Sequence, residues 1–106
     1  KRPGFERKDM DVYSNVTIPF TTAVLGGEAV VQTLTGRVVC KINPGTQSGT
    51  KIRLKGKGIV SMKDAGRYGD QYVTVQIDVP KNLSNEAKRK LKEFEAACRN
   101  GSRGAA

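Results

Sequence analysis

The sequence has no histidine, no tryptophan and only two cysteines among its 106 residues. Without histidine it has no candidate for a Ser-His-Asp triad, and two distant thiols cannot supply the four ligands of a structural zinc site. Cys40 and Cys98 also make no disulfide framework, so we expect free thiols and a reducing compartment. These absences predict a protein with no metal and no other cofactor.

Acidic residues are few, with 10 Asp and Glu against 19 Lys and Arg, and they are scattered along the chain. No paired-carboxylate or nucleophile-elbow pattern occurs. The glycine-rich stretch that starts at Gly45 lacks the spacing G-x-x-x-x-G-K-[ST] of a phosphate-binding loop, and a strand pattern follows it instead of a helix. The sequence therefore predicts a non-enzyme. No apolar run reaches the roughly 20 residues that span a bilayer, so we expect no membrane partner.

The formal net charge of +9 favours anionic partners, which are nucleic acid, anionic lipid or an acidic peptide segment. The alternative is a basic surface with no dedicated partner. Nucleic-acid binding usually combines basic patches with stacking aromatic side chains, yet aromatic residues make up only 6% of the chain. The candidate stacking residues, Tyr13, Tyr68 and Tyr72, show no RNP-like spacing. We therefore keep a nucleic-acid-binding β-domain only as a rival hypothesis.

Short alternating segments separated by turn signals predict a mainly β fold. The clearest alternation covers residues 71–79, where the inward side chains are expected to be Val73, Val75, Ile77 and Val79. Residues 28–42 predict a hairpin that turns at Thr35-Gly36, and residues 21–27 predict one compact helical turn. We expect a small two-sheet β-sandwich with this helical turn and one C-terminal α-helix.

Helix signals occur only near the C-terminus. Ser84 is a suitable N-cap, Asn100-Gly101 supplies a stop, and apolar residues between them recur at helical spacing. We expect an incoming linker over residues 1–9, one domain over residues 10–98 with its helix at about 84–98, and a disordered tail over residues 99–106. Because the chain begins with Lys1 rather than Met, we expect it to be a piece of a longer protein.

A basic side chain occupies every second position of the stretch "TKIRLKGKGI", which predicts a basic stripe on the outer face of one strand. Its members are Lys51, Arg53, Lys55 and Lys57. Ile52 and Leu54 would face the core, while Gly56 and Gly58 would allow a bulge or the close approach of another backbone. Two interpretations remain open: a solvated strand face, or a docking stripe for an acidic segment.

Four blocks follow one another in order: "AVLGG" from Ala23, "INPGTQSG" from Ile42, "RLKGKG" from Arg53 and "GDQYVTVQIDVPKNL" from Gly69. This pattern, over residues 5–98, resembles the second C-terminal β-domain of the DnaJ family of J-domain co-chaperones. The first residues depart from the family pattern, which we expect to alter a loop and not the fold. The J-domain and the zinc region of that family have no counterpart here, so we expect this piece alone not to stimulate a partner's ATPase.

The resemblance implies a non-catalytic chaperone module. Such a domain would bind unfolded client polypeptide, support a homodimer and help deliver clients to a DnaK-type, ATP-driven heat-shock chaperone during the stress response. The implied location is the cytoplasm, with the mitochondrial matrix as the alternative. Client binding would be weak, apolar and strand-like. The alternative function is a structural spacer or dimer arm that makes no client contact.

The resemblance also implies site residues. A shallow apolar groove between the first strand and the strand after the glycine turn would be lined by Ser14, Val16, Ala29, Val31 and Thr33. Ordinary core packing is the alternative for Val16 and Val31. On the C-terminal helix, Leu91 and Phe94 would either cover the sandwich of their own chain or reach toward a partner subunit.

Overall fold

The computed structural model describes the backbone of residues 3–105 and the side chains of residues 3–101. Within these residues the elements are β1 (Glu6–Lys8), β2 (Asp11–Pro19), α1 (Phe20–Leu25), β3 (Gly27–Thr33), β4 (Gly36–Ile42), β5 (Lys51–Leu54), β6 (Gln71–Asp78) and α2 (Asn85–Ala105). The predicted mainly β fold, with a helical turn and a C-terminal helix, is confirmed. The predicted hairpin is also confirmed, since β3 and β4 flank a two-residue turn.

The strands form two sheets. The larger sheet has the order β1-β2-β6-β5, and the smaller sheet is the β3–β4 hairpin. At the centre of the larger sheet β2 and β6 run parallel, with Val12 opposite Gln71 and Ile18 opposite Ile77. The edge strands β1 and β5 pair antiparallel with β2 and β6. The long connection from β2 to β6 therefore carries the hairpin and β5.

The core lies between the two sheets. Val73 and Val75 of β6 have no exposed surface, and they pack with Val31 and Ile42 of the hairpin. Full burial of such a side chain contributes about 1.5–3 kcal/mol, so the inward residues of β6 supply much of the stability. Cys40 also packs in this core, and burial raises the pKa of its thiol.

Val79 departs from the expected alternation. It was predicted to face inward, but 73% of its surface is exposed. The reason is that β6 ends at Asp78, one residue earlier, and Pro80 has no backbone N–H with which to continue the ladder.

Two glycines allow the loop before β6 to lie directly on the chain that enters β2. Ile59 N–H donates to the Met10 carbonyl at 2.7 Å, and Gly58 N–H donates to the Gly69 carbonyl at 2.9 Å. A Cβ atom on Gly58 would lie 2.6 Å from the Gly69 carbonyl carbon, and a Cβ on Gly69 would lie 2.5 Å from the Met10 carbonyl carbon. The close backbone approach predicted at Gly58 is therefore confirmed.

Three predicted boundaries are wrong. Glu6–Lys8 form β1, within the expected linker, because they pair with Asp11 to Tyr13. β5 ends at Leu54, since Gly56 turns the chain with a φ of 75°. α2 continues through Asn100-Gly101 to Ala105. Residues 1, 2 and 106 of the expected linker and tail lie outside the described part of the chain.

Local interactions explain where α2 starts and why it persists. Ser84 Oγ accepts a hydrogen bond from Ala87 N–H at 3.1 Å, which confirms the predicted N-cap. The guanidinium group of Arg89 then lies 2.8 Å from Glu86 and 2.9 Å from Glu93, one turn to either side. A single glycine costs a helix only about 1 kcal/mol relative to alanine, which is too little to end it at Gly101.

Replacing Gly58 with alanine tests the close approach. We expect Gly58→Ala to lower the free energy of unfolding by about 3 kcal/mol, because its Cβ would overlap backbone atoms that cannot rotate away. Urea denaturation measures this change. Gly101→Ala is the control, since nothing lies within 4 Å of its Cβ position, and it should leave stability unchanged or raise it by up to about 1 kcal/mol. Equal effects of the two variants would contradict the packing argument.

Candidate functional site

The β3 strand has a free edge. In an antiparallel ladder, hydrogen-bonded pairs alternate with non-hydrogen-bonded pairs. Thr33 and Gly36 flank the two-residue turn and form a hydrogen-bonded pair, so the next pair, Gln32 and Arg37, is non-hydrogen-bonded. The backbone N–H and C=O groups of Glu28, Val30 and Gln32 therefore point away from β4. No strand of residues 3–105 pairs with β3 on that side.

A groove of about 330 Å³ runs beside this edge. Its walls include Ser14 and Val16 of β2 and Val30 and Val31 of β3, and Gly4 and Phe5 also line it. The groove exists because β1 pairs with β2 only as far as Tyr13, so no β1 residue covers the rest of β2. Two strands from different sheets thus face each other across an open, partly apolar cleft.

The predicted groove residues divide into two groups. Ser14, Val16 and Val31 line the groove, but Val31 is only 2% exposed and also packs in the core with Cys40 and Val73, as its alternative interpretation predicted. Ala29 packs in the core with Ile18, and Thr33 is only 1% exposed. Thr33 Oγ1 donates to the Gly36 carbonyl at 2.7 Å and so belongs to the hairpin turn. The resemblance implied the inward side chains of β3 for the groove, whereas the outward side chains of Val30 and Gln32 also line it.

Gln71 is a buried polar residue that the sequence interpretation missed. It has no exposed surface, and its Nε2 donates to Ser14 Oγ at 2.9 Å and to the Gln32 carbonyl at 3.0 Å. Both acceptors belong to residues that line the groove. Its Oε1 atom is buried without a hydrogen-bond partner. The alternation of β6 could have predicted its burial, since Gln71 lies two residues before Val73 and four before Val75, which both face inward.

The predicted basic stripe is interrupted. Lys51 and Arg53 lie on the outer face of β5, but the chain turns at Gly56, so Lys55 and Lys57 do not continue the same strand face. Arg53 is also paired, with its Nε 2.7 Å from Asp70 Oδ2. The four residues therefore do not form one continuous row of unpaired positive charge.

Asp70 stabilises the turn that ends β5. Its Oδ1 accepts from Gly56 N–H at 2.9 Å, and its Oδ2 accepts from Arg53. The Gly56 hydrogen bond and then the Arg53 interaction hold the pKa of this carboxyl group below its usual value. The Asp70 side chain is only 14% exposed, whereas the Arg53 side chain is 59% exposed.

Two tyrosines stack on the outer face of the larger sheet. Tyr13 and Tyr72 are direct cross-strand neighbours, and their ring centroids lie 5.3 Å apart at an interplanar angle of 19°. Tyr68, the third predicted stacking residue, lies in the loop before β6, where it forms an isolated bridge with Val60. The structure therefore brings two of the three tyrosines together, but each covers one face of the other's ring.

Apolar residues at helical spacing, which include Leu91 and Phe94, form a stripe along α2. The rest of the domain covers only part of this stripe. Leu91 is 42% exposed and Phe94 is 43% exposed. The Phe94 ring makes an edge contact with Phe20 of α1, with centroids 6.5 Å apart. Phe94 thus covers a small part of its own sandwich while much of the stripe remains exposed.

Comparison with known proteins identifies the family. The model of the DnaJ C terminal domain matches residues 1–80. The chain belongs to this family. It is 47% identical over 93 residues to the chaperone protein DnaJ of Lachnospira eligens, an alignment that covers 88% of this chain and 25% of the relative. It is 48% identical over 99 residues to the chaperone protein DnaJ of Dichelobacter nodosus, covering 93% of this chain and 26% of the relative.

Membership of the DnaJ C-terminal domain family has direct consequences. The family is non-catalytic, which confirms the prediction of a non-enzyme, and it supports a role as a chaperone module. The chain spans about a quarter of the length of its DnaJ relatives. Among residues 3–105, no helix is both long enough and apolar enough to cross a membrane.

Asp70→Asn tests the carboxylate at the end of β5. Because the folded-state pKa of Asp70 is depressed, its stabilising contribution is fully present above the unfolded pKa of about 3.9 and is lost as pH falls through the folded value. We expect the variant to be less stable than the wild type at pH 7. The difference should shrink as the pH falls below about 4.

Thermal unfolding from pH 7 to pH 2 would follow this effect. Asp64→Asn removes an exposed loop carboxylate and is the matched control. A stability difference for Asp70→Asn that stays constant down to pH 2 would contradict the assigned ion pair and hydrogen bond.

Proposed function

We propose that the groove between β2 and β3 binds unfolded client polypeptide as an extended strand. The observation that carries this proposal is the free edge of β3, whose Glu28 and Val30 backbone groups have no strand partner within residues 3–105. An extended segment can pair with such an edge by main-chain hydrogen bonds, which do not depend on the client's sequence. Such sequence-independent recognition would suit a chaperone that accepts many clients.

Apolar side chains supply the second component of client binding. Val30 is 56% exposed and Val16 lies in the same groove, whereas Val31 is only 2% exposed and adds little apolar surface. These side chains are small, and Ser14 adds a hydroxyl group, so the groove offers limited apolar area. Ordering an unfolded segment costs conformational entropy, and a small apolar contact offsets only part of it. We therefore expect weak binding and rapid release.

Dimer support and client delivery belong to the whole protein. We propose that the exposed apolar stripe of α2, including Leu91 and Phe94, contacts a second copy of the chain. In the homodimer, two grooves would hold one client and help deliver it to a DnaK-type, ATP-driven chaperone in the cytoplasm. The relatives named chaperone protein DnaJ support this role. Lys51 and Arg53 remain candidates for contact with an acidic segment of such a partner.

The geometry of the tyrosine pair and of Arg53 does not favour nucleic-acid binding. Bases stack on open aromatic faces, whereas Tyr13 and Tyr72 stack on each other. Arg53, the nearest cation in the same row, is already paired with Asp70. Client binding therefore remains the preferred function, and the titration below also separates it from a spacer without client contact.

A valine pair offers a matched test of the client groove. Val30 and Val39 lie directly opposite each other on the outer face of the hairpin, but of the two only Val30 lines the groove. We expect Val30→Thr to weaken binding of an unfolded apolar peptide about fivefold, from a loss of about 1 kcal/mol of apolar contact. Val39→Thr makes the same chemical change and should have no effect.

Backbone amide shifts of the isotope-labelled chain would measure this binding. Shifts should cluster on β3 and on the second half of β2. The absence of shifts at millimolar peptide would remove the client-binding proposal and leave the spacer function. Equal weakening by the two valine variants would place the binding surface elsewhere on the hairpin.

The apolar stripe of α2 is tested separately by self-association. We expect sedimentation equilibrium to show a dimer whose population rises with concentration, and Phe94→Ala to weaken it at least tenfold. Leu25→Ala is the control, since Leu25 is 75% exposed but lies on α1. A wild-type chain that stays monomeric to millimolar concentration would count against α2 as a dimer contact.

A further inference from the structure

Gln71 is buried beneath the groove and contacts both of its walls. It lies on β6, beside β2 in the larger sheet, yet its amide reaches the hairpin of the smaller sheet. One amide nitrogen donates to Ser14 Oγ on the β2 wall and to the Gln32 carbonyl on the β3 wall. With no exposed surface, Gln71 cannot exchange these bonds for water while the groove keeps this geometry.

The Gln32 carbonyl is one of the groups at the free edge of β3. Gln32 pairs with Arg37 without backbone hydrogen bonds, so its carbonyl points toward the position that an added strand would occupy. The hydrogen bond from Gln71 engages this acceptor, so a client N–H would have to share the carbonyl oxygen with a buried amide. The corresponding groups of Glu28 and Val30 have no such side-chain partner among the described residues. Gln71 thus caps one end of the edge and leaves the other end available.

The amide orientation indicates that this cap is specific. If the Gln71 amide were reversed, its oxygen would face the Gln32 carbonyl, and two acceptors would oppose each other. In the orientation present, Oε1 is left buried without a hydrogen-bond partner. A buried, unsatisfied acceptor is a destabilising feature that an apolar side chain of similar size would avoid. The two hydrogen bonds of Nε2 thus join the walls of the groove while Oε1 remains without a partner among the described residues.

We propose that Gln71 is a positioning residue that sets the register of the client strand in the groove. By occupying the Gln32 carbonyl, it confines main-chain pairing to Glu28 and Val30 and stops the client before the hairpin turn. The inference rests on the proposed client-binding function and deepens it. The preferred ligand is then a short extended segment, because additional client residues beyond Val30 gain no complete backbone pair.

Removal of the amide tests this role. Gln71→Leu removes the donor and the unsatisfied acceptor, and Gln71→Met provides a second, unbranched replacement in case the first variant does not fold. Apolar peptides of four, six and eight residues would be titrated into the labelled chain. In the wild type, amide shifts should end near Val31, and affinity should stop rising with length. In the variants, shifts should extend through Gln32 and Thr33, and the longest peptide should bind about fivefold more tightly through the freed carbonyl.

Gln76→Leu is the matched control, because it makes the same substitution on β6 at an exposed residue that does not line the groove and leaves the Gln32 carbonyl capped. It should not change the end of the shifted region or the dependence on peptide length. A role of Gln71 in stability alone would lower the melting temperature of the Gln71 variants and leave register and length dependence unchanged. That result, or wild-type shifts that already extend through Gln32, would overturn the inference while client binding stands. Failure of the wild type to bind any peptide would overturn both proposals.

Discussion

The contact of Gly58 and Gly69 with the Met10 carbonyl region fixes how the two halves of the chain meet. Asp70 N–H donates to Asp11 Oδ1 at 2.7 Å, and Val12 N–H donates to the Asp70 carbonyl at 2.9 Å. These bonds join segments about 60 residues apart and start the parallel pairing of β2 with β6 in one register. Because side chains alternate along a strand, a shift of one residue would move every inward side chain of β6 to the outer face.

The same register determines where Gln71 lies relative to the groove. With Gln71 opposite Val12, its side chain enters the space between the sheets and reaches the hairpin. The hairpin has one free edge beside the groove, and unprotected edges favour unwanted association between chains. Occupying the Gln32 carbonyl shortens that edge without closing it. Under the proposed function, one side chain thus both limits aggregation and defines how far a client strand can pair.

Local patterns in the sequence were sufficient for the strands but not for their partners. Alternation correctly placed Val73 and Val75 inside, and turn signals located the β3–β4 hairpin, because both depend on neighbouring residues. The pairing of β2 with β6 depends on contacts between distant residues, which no local period records. Two of the groove residues that the resemblance implied lie elsewhere: Ala29 packs in the core and Thr33 belongs to the hairpin turn. Only the relative position of the two sheets decides that the outward side of β3 borders the cleft.

Charge is distributed away from the groove. The chain carries a formal net charge of +9, yet every residue that lines the groove is uncharged. Several basic side chains are instead engaged in ion pairs, as Arg53 is with Asp70 and Arg89 is with two glutamates on α2. An uncharged cleft does not select clients by electrostatic attraction. Under the proposed function, recognition then depends on main-chain pairing and on small apolar contacts, which unfolded polypeptides offer and folded proteins bury.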